Sequence, residues 1–494
     1  MTGQEDPDFS IVLGRCLGSL WDRTASHRAL VAVLLVGAIL WASVFVAGMN
    51  SFSGTRPFRS SWNGEGTVTI FGWILSYDWE GWSDYDYYYV TWGLDLLSGG
   101  TLYTPEFSTV DLGGSTGNAP YFFPPLFAYL CAMGMLLPIR PFGIGLLITL
   151  FGYLTALPIY GIIHRLTDDA GTAALGALSY LFNPLVLYHT AFQWLNPAPF
   201  TFFALLGLFL LMTDHKTLGT LSVVVSAMFK QTGFFMVIPL LAYAGRPSRN
   251  GSQDGRVDDK AGSTSALDTR SIEKTVLLGV SLAFLLSLPY ILIDPLNYLY
   301  YIFVKPGVVW IDPSGGIPSR QVPTTVVFPL IALRAPHWVI LLFDILAYYG
   351  LAAIAVIVTV LVVQLVHVTQ DWSEPGFSQR SLSLVAVLYF WVYFWSPRGI
   401  YKYYCVTLLA LLVVWCSIDA LRPMRLRGHK FRAGFVLSTL LWGLLILYLP
   451  RWLYIVVIGA TALMMSWKEL LFLGSTLAAR VHRVLNTPGH DIQD

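Results

Sequence analysis

The sequence predicts an all-α polytopic membrane protein of about 11–13 transmembrane helices, and three observations carry that prediction. Of 494 residues, 55% are hydrophobic and only 12% charged, with a mean hydropathy of +0.61, a balance outside that of water-soluble domains. Uncharged apolar runs recur, several reaching the roughly 20 residues that a helix needs to cross about 30 Å of hydrocarbon. Lys and Arg cluster between these runs and mark alternating sides of the bilayer.

The first run, Ala29 to Met49, follows Arg15, Arg23 and Arg28 and lacks the small-residue cleavage site of a signal peptide. It is expected to stay as an anchor, with residues 1–28 in the cytoplasm. That sends residues 50–120 outside as the largest polar segment on that face, rich in Trp, Tyr, Gly and Asp. The first transmembrane module is then 29–245. Residues 246–274 read as a cytoplasmic linker, mixed in Gly, Ser, Asp and charge without apolar periodicity. A second module spans 275–475 with an outer loop at 294–337, and 476–494 is a cytoplasmic tail. One conflict stands in the middle. Arg140 and Lys216 both look cytoplasmic, yet three apolar runs separate them, so one run is broken, re-entrant or wrongly counted. Leu218 to Ala244 has a related difficulty, because Lys230-Gln231-Thr232-Gly233 interrupts it.

A net charge of +1 suggests no nucleic-acid partner. Cys16, Cys131, Cys405 and Cys416 are isolated, without disulfide or metal-ligand spacing.

The chemistry concentrates in the first outer loop. Ser76 to Tyr89 sets Asp78, Glu80, Asp84 and Asp86 among Trp79, Trp82, Tyr85, Tyr87, Tyr88 and Tyr89. Rings can flank a sugar's apolar faces, and a carboxylate can take the proton of an attacking hydroxyl. The plainer reading makes the rings an interfacial belt and the acids a wet loop surface. Ser83 and Asp86 fit a capping box that opens a helix running to about Leu97. In that helix Asp84, Tyr88, Thr91 and Asp95 share one face and Tyr85, Tyr89, Trp92 and Leu96 another, an amphipathic pattern suited to the membrane surface. The positive helix end favours ionised Asp84, although it also weakens it as a base.

Further motifs follow in order: Gly99-Gly100-x-Leu102-Tyr103, Phe123-Pro124-Pro125-Leu126, Ala191 to Pro197 (Ala-Phe-Gln-Trp-Leu-Asn-Pro), and Phe229 to Phe235 (Phe-Lys-Gln-Thr-Gly-Phe-Phe). With Asp84-x-Asp86-Tyr87 before them, their order over residues 70 to 245 resembles the GT-C superfamily of membrane glycosyltransferases. Those enzymes use polyprenyl- or dolichyl-phosphate sugars. The resemblance implies a GT-C-like core, an inverting mannosyltransferase-like activity on the non-cytoplasmic face, and Asp84 as base with Asp86 second; Asp78 and Glu80 are fallback choices. It also implies a lipid-phosphate sugar donor and a glycan or glycolipid acceptor within membrane lipid. The host membrane would be the cell membrane, or the endoplasmic reticulum membrane in a eukaryote. No cofactor is expected to be essential, though Asp-x-Asp oxygens would suit Mg²⁺ or Mn²⁺.

A leaving phosphate needs positive charge, and ionisable groups within apolar runs are functional candidates. Lys230 beside Gln231 qualifies, with snorkelling to the cytoplasmic interface as its alternative. Arg398 and Lys402 lie outside against the usual bias, and Lys305 and Arg320 belong to the 294–337 loop. His189, Gln193, Asn196 and Tyr89 could meet sugar hydroxyls, or serve helix packing. The rival from another class is a transporter or flippase for lipid-linked saccharide, which would also use broken helices and an intramembrane Lys.

Overall fold

Long apolar runs with few interruptions satisfy their backbone without water most directly as helices, and helices dominate the described residues. The computed structural model describes residues 28–52, 65–70, 73–78, 84–104, 107, 109–111, 116–118, 121–246, 268–304, 325–347, 350, 356, 376–396, 400–417 and 429–486. Four helices among them are long and apolar enough to cross a membrane: Arg28–Ser51, Gly143–Thr167, Thr269–Ile293 and Arg451–Leu471. A fifth candidate is the pair Ala170–Leu181 and Pro184–Phe192, bent by 43° at Phe182-Asn183. The other apolar helices, among them Pro197–Met212, Lys216–Phe229 and Lys402–Cys416, run only 10–17 residues. The expected 11–13 spans therefore correspond to four or five helices of sufficient length among the described residues. Among the described residues strands occur too, all in the first loop: β1 (Glu65–Ile70) pairs antiparallel with β2 (Trp73–Asp78), and β3 (Thr109–Asp111) with β4 (Thr116–Asn118). The linker residues 247–267 and the N-terminal 1–27 lie outside the described residues.

Side-chain tethers establish which helix ends lie together. The Lys216 ammonium donates to the carbonyls of Ala244 (3.2 Å) and Arg246 (2.9 Å). Lys216–Phe229 and the returning Val237–Ala244 helix are thus an antiparallel pair, and the interruption at Lys230 is the tip between them. The turn is tight. A Cβ on Gly233 would sit 2.6 Å from the Ala227 backbone, so only glycine lets the Gln231–Met236 turn close on the helix before it.

At the opposite end, the Tyr85 hydroxyl donates to the Pro141 carbonyl (2.8 Å) and accepts from the Gly145 amide (2.9 Å). Arg140 therefore sits at the end of the bundle that carries the first loop, so it does not share a side with Lys216 as the charge pattern led one to expect. The run before it explains the parity conflict. Leu126–Leu136 lies alongside Thr91–Leu97, so closely that a Cβ on Gly93 would meet the Cys131 carbonyl at 2.8 Å. At 11 residues it is only about 16 Å long, half a hydrocarbon core. It packs at the Tyr85 end and does not connect the two ends, so three passes separate Arg140 from Lys216 and the two belong at opposite ends.

The first-loop helix also differs from expectation. It reaches Leu97 as its sequence pattern requires, but its first turns, Tyr85–Val90, are a π-helix. Tyr85, Tyr89 and Trp92 are almost wholly buried, packed on Phe52, Phe127, Tyr121 and Trp194. The apolar face is docked on protein, where a helix lying on the membrane surface would have turned it to lipid. Ser83, half of the expected capping box, lies outside the described residues.

Candidate functional site

The irregular backbone gathers at the Tyr85 end. Tyr85–Val90, Leu187–Phe192 and Tyr300–Val304 are all π-helical, and such segments are rare and frequent at functional sites. The break after Leu187–Phe192 passes through Trp194 at φ +56°, a conformation a bulky residue adopts only under constraint. The constraint is visible: the Trp194 indole is enclosed by Phe45, Phe52, Tyr85 and Phe142. This bend presents Asn196 to the tip at Lys230, which is itself extended (φ −155°, ψ 140°) between two helices.

Lys230 is 6% exposed. Its ammonium donates to Asn196 Oδ1 (3.1 Å) and lies 3.6 Å over the Tyr404 ring, with Phe200 and Phe123 at 5.5 and 5.7 Å. A desolvated cation–π contact is worth about 2 kcal/mol, against several kcal/mol for burying a lysine. Tyr404 packs on Tyr403 at 4.3 Å, and the Tyr403 hydroxyl donates to Asp84 Oδ2 at 2.9 Å. Two tyrosines thus join the first-loop carboxylate to the lysine of the broken run.

Asp84 begins the π-helix without using its side chain as a cap. Asp86 is two residues on, and residues i and i+2 of a helix do not share a face, so the Asp-x-Asp pair diverges. The buried Tyr89 hydroxyl is directed toward the Asn196 backbone without closing a hydrogen bond of ordinary geometry. Burial, with the Asp84 charge second, pushes its phenol well above the ordinary range and keeps it protonated.

The remaining candidates divide. Gln231 donates to the carbonyls of Phe122 and Ile302, the latter at 3.2 Å, and so ties the Lys230 tip to the first loop and to the Tyr300–Val304 segment. Gln193 joins His189 Nδ1 (2.9 Å) and the Tyr188 hydroxyl (3.0 Å), and the His189 ring lies 6.5 Å from that of Tyr403. Lys402 is fully buried, but its ammonium donates to the Leu447 carbonyl (2.9 Å) and lies over Tyr454. Through these contacts it ties the 402–404 turn to the neighbouring helices. Arg398, Glu80, Lys305 and Arg320 lie outside the described residues. Asp78 ends β2.

Two groups escaped the sequence reading. Tyr403 and Tyr404 were only part of a Tyr-rich turn, and their spacing gave no sign of Asp84 as partner. Arg451 places its guanidinium 4.9 Å from the Tyr401 ring and 5.0 Å from that of Phe328. Its signal was available, since an arginine right after Pro450 stands at the start of a long apolar helix. No protein family model matches the chain, and no curated protein matches it significantly.

Proposed function

We propose that the chain is a polytopic membrane glycosyltransferase of GT-C type, acting on the non-cytoplasmic face and moving a hexose, by resemblance mannose, from a polyprenyl- or dolichyl-phosphate donor to a glycan or glycolipid acceptor. One observation carries the reading: Asp84 and Lys230, from motifs nearly 150 residues apart, meet through Tyr403 and Tyr404 at one end of the bundle. In this reading Asp84 takes the proton of an acceptor hydroxyl. The hydroxyl oxygen attacks the anomeric carbon as the bond from that carbon to the phosphate oxygen breaks on the opposite face, so the configuration inverts. The lipid phosphate leaves with the bonding pair, and Lys230 stabilises the charge it gains. An aromatic enclosure keeps that lysine from bulk water, where its field would be screened.

The test is transfer of radiolabelled mannose from dolichyl- and polyprenyl-phosphate to a membrane glycolipid extract by the purified protein. Wild type transfers label, and Asp84→Asn is slower by about 10²- to 10⁴-fold, the usual worth of a general base. No transfer by wild type from any donor, with saccharide movement across reconstituted vesicles, would replace this reading by a transporter.

A further inference from the structure

Asp84 stands where a helix-capping carboxylate would, but its side chain makes no capping hydrogen bond. Its oxygen is met by a phenol 319 positions later in the chain. That phenol is held from every side. Its ring is 4% exposed, stacked near-parallel on Tyr401 at 5.8 Å and against Tyr404 at 4.3 Å, with His189 edge-on at 6.5 Å. The residue leading into the turn that carries it is anchored twice: the Ile400 amide donates to the Thr325 hydroxyl (3.1 Å), and the Tyr454 hydroxyl donates to the Ile400 carbonyl (2.7 Å). So the donor's position is set before any substrate arrives.

We infer that Tyr403 is a positioning residue for Asp84: its hydroxyl orients the carboxylate and favours the ionised form, and thereby sets the pH range over which Asp84 can accept a proton. The inference rests on the reading of Asp84 as the base. A hydrogen bond to the charged form lowers a carboxyl pKa, so the phenol favours the carboxylate. Several titratable and charged groups lie around the pair. Tyr89 faces Asp84 from its own helix and Tyr403 from the 402–404 turn. Asp86 diverges along the helix, Lys230 lies beyond the Tyr404 ring, Lys402 is turned to Leu447, and His189 is bonded to Gln193.

Tyr403→Phe removes the hydroxyl and keeps the ring that Tyr401 and Tyr404 pack against. Dicyclohexylcarbodiimide modifies only protonated carboxyl groups, so its incorporation at Asp84, read by mass spectrometry against pH, reports ionisation without any substrate. Losing a donor to the charged form raises the carboxyl pKa, so protonated Asp84 persists to higher pH. The labelling midpoint should move up by about one pH unit. Tyr243→Phe, which removes a buried hydroxyl at the far end of the bundle, should label with the wild-type midpoint. In the transfer assay the acidic limb of the rate profile moves by the same amount, with the donor KM unchanged. An unchanged labelling midpoint in Tyr403→Phe overturns the inference. A shifted midpoint in a protein that transfers no sugar supports the Tyr403–Asp84 coupling and removes the glycosyltransferase reading instead.

Discussion

The two ends of the helix bundle use similar residues for opposite purposes. At the Lys216 end, polar side chains finish the helices and pair with one another. Asp169 and Asp268 accept from the amides of Gly171 and Ser271 as N-caps, Lys216 gathers carbonyls of the adjoining helix end, and Arg380 meets Glu469 at 3.1 Å. At the Asp84 end, the carboxylate leaves its helix uncapped, the lysine interrupts its run, and three segments adopt π geometry. Ordered chains tolerate such departures where the surrounding structure enforces them, and they concentrate at working sites. The contrast separates groups that finish and pair the helices from groups set in irregular backbone, where the proposed function places its ligand.

That separation can be broken by substitution. The largest effect is expected from Glu469→Ala. Glu469 also accepts from Ser383, and its loss would strand a half-buried Arg380 among three helices. Breaking a pair of this kind costs about 3 kcal/mol. Thermal aggregation in detergent should come markedly earlier, while the turnover of protein that stays folded should match wild type. A parallel fall in turnover would show that the two ends are not separable. Next in size is Lys230→Met, which keeps the stem and removes the charge. Transfer efficiency should fall by about thirtyfold, or about 2 kcal/mol, by loss of one charged donor to the leaving phosphate. Because a buried cation is expensive, stability should hold or rise. Loss of stability with transfer intact would make Lys230 a structural group. The smallest is Asn183→Ala. Asn183 caps the second half of the bent segment at the Leu185 amide and donates to the Thr439 carbonyl. About 1–2 kcal/mol of stability should go, measured by denaturant titration, without change in donor KM.

Much of the helical layout was legible in the amino-acid sequence because hydropathy and capping are local. Apolar runs, the end of the first-loop helix near Leu97 and the break at Lys230 all follow from neighbours within a few residues. Even the conflict between Arg140 and Lys216 was a true signal, since charge placement and run counting disagreed at the place where Leu126–Leu136 fails to connect the two ends. Its hydropathy resembles that of a span, and only its packing on Thr91–Leu97 tells the two apart. The site was legible in part. Asp84, Lys230 and Asn196 come together, whereas Lys402, chosen for its charge and side, donates to the Leu447 carbonyl on a neighbouring helix. The Tyr403 contact was out of reach, because a hydroxyl's partner across most of the chain is decided by tertiary packing that no local pattern encodes.

In the proposed mechanism Asp84 and Lys230 serve one reaction. A double-mutant cycle on transfer, comparing wild type, Asp84→Asn, Lys230→Met and the double variant, tests it most directly. Groups that act together on one transition state are non-additive, so the double variant should be little slower than Asp84→Asn alone. Rate losses that simply multiply would contradict the account and place the two residues in independent roles.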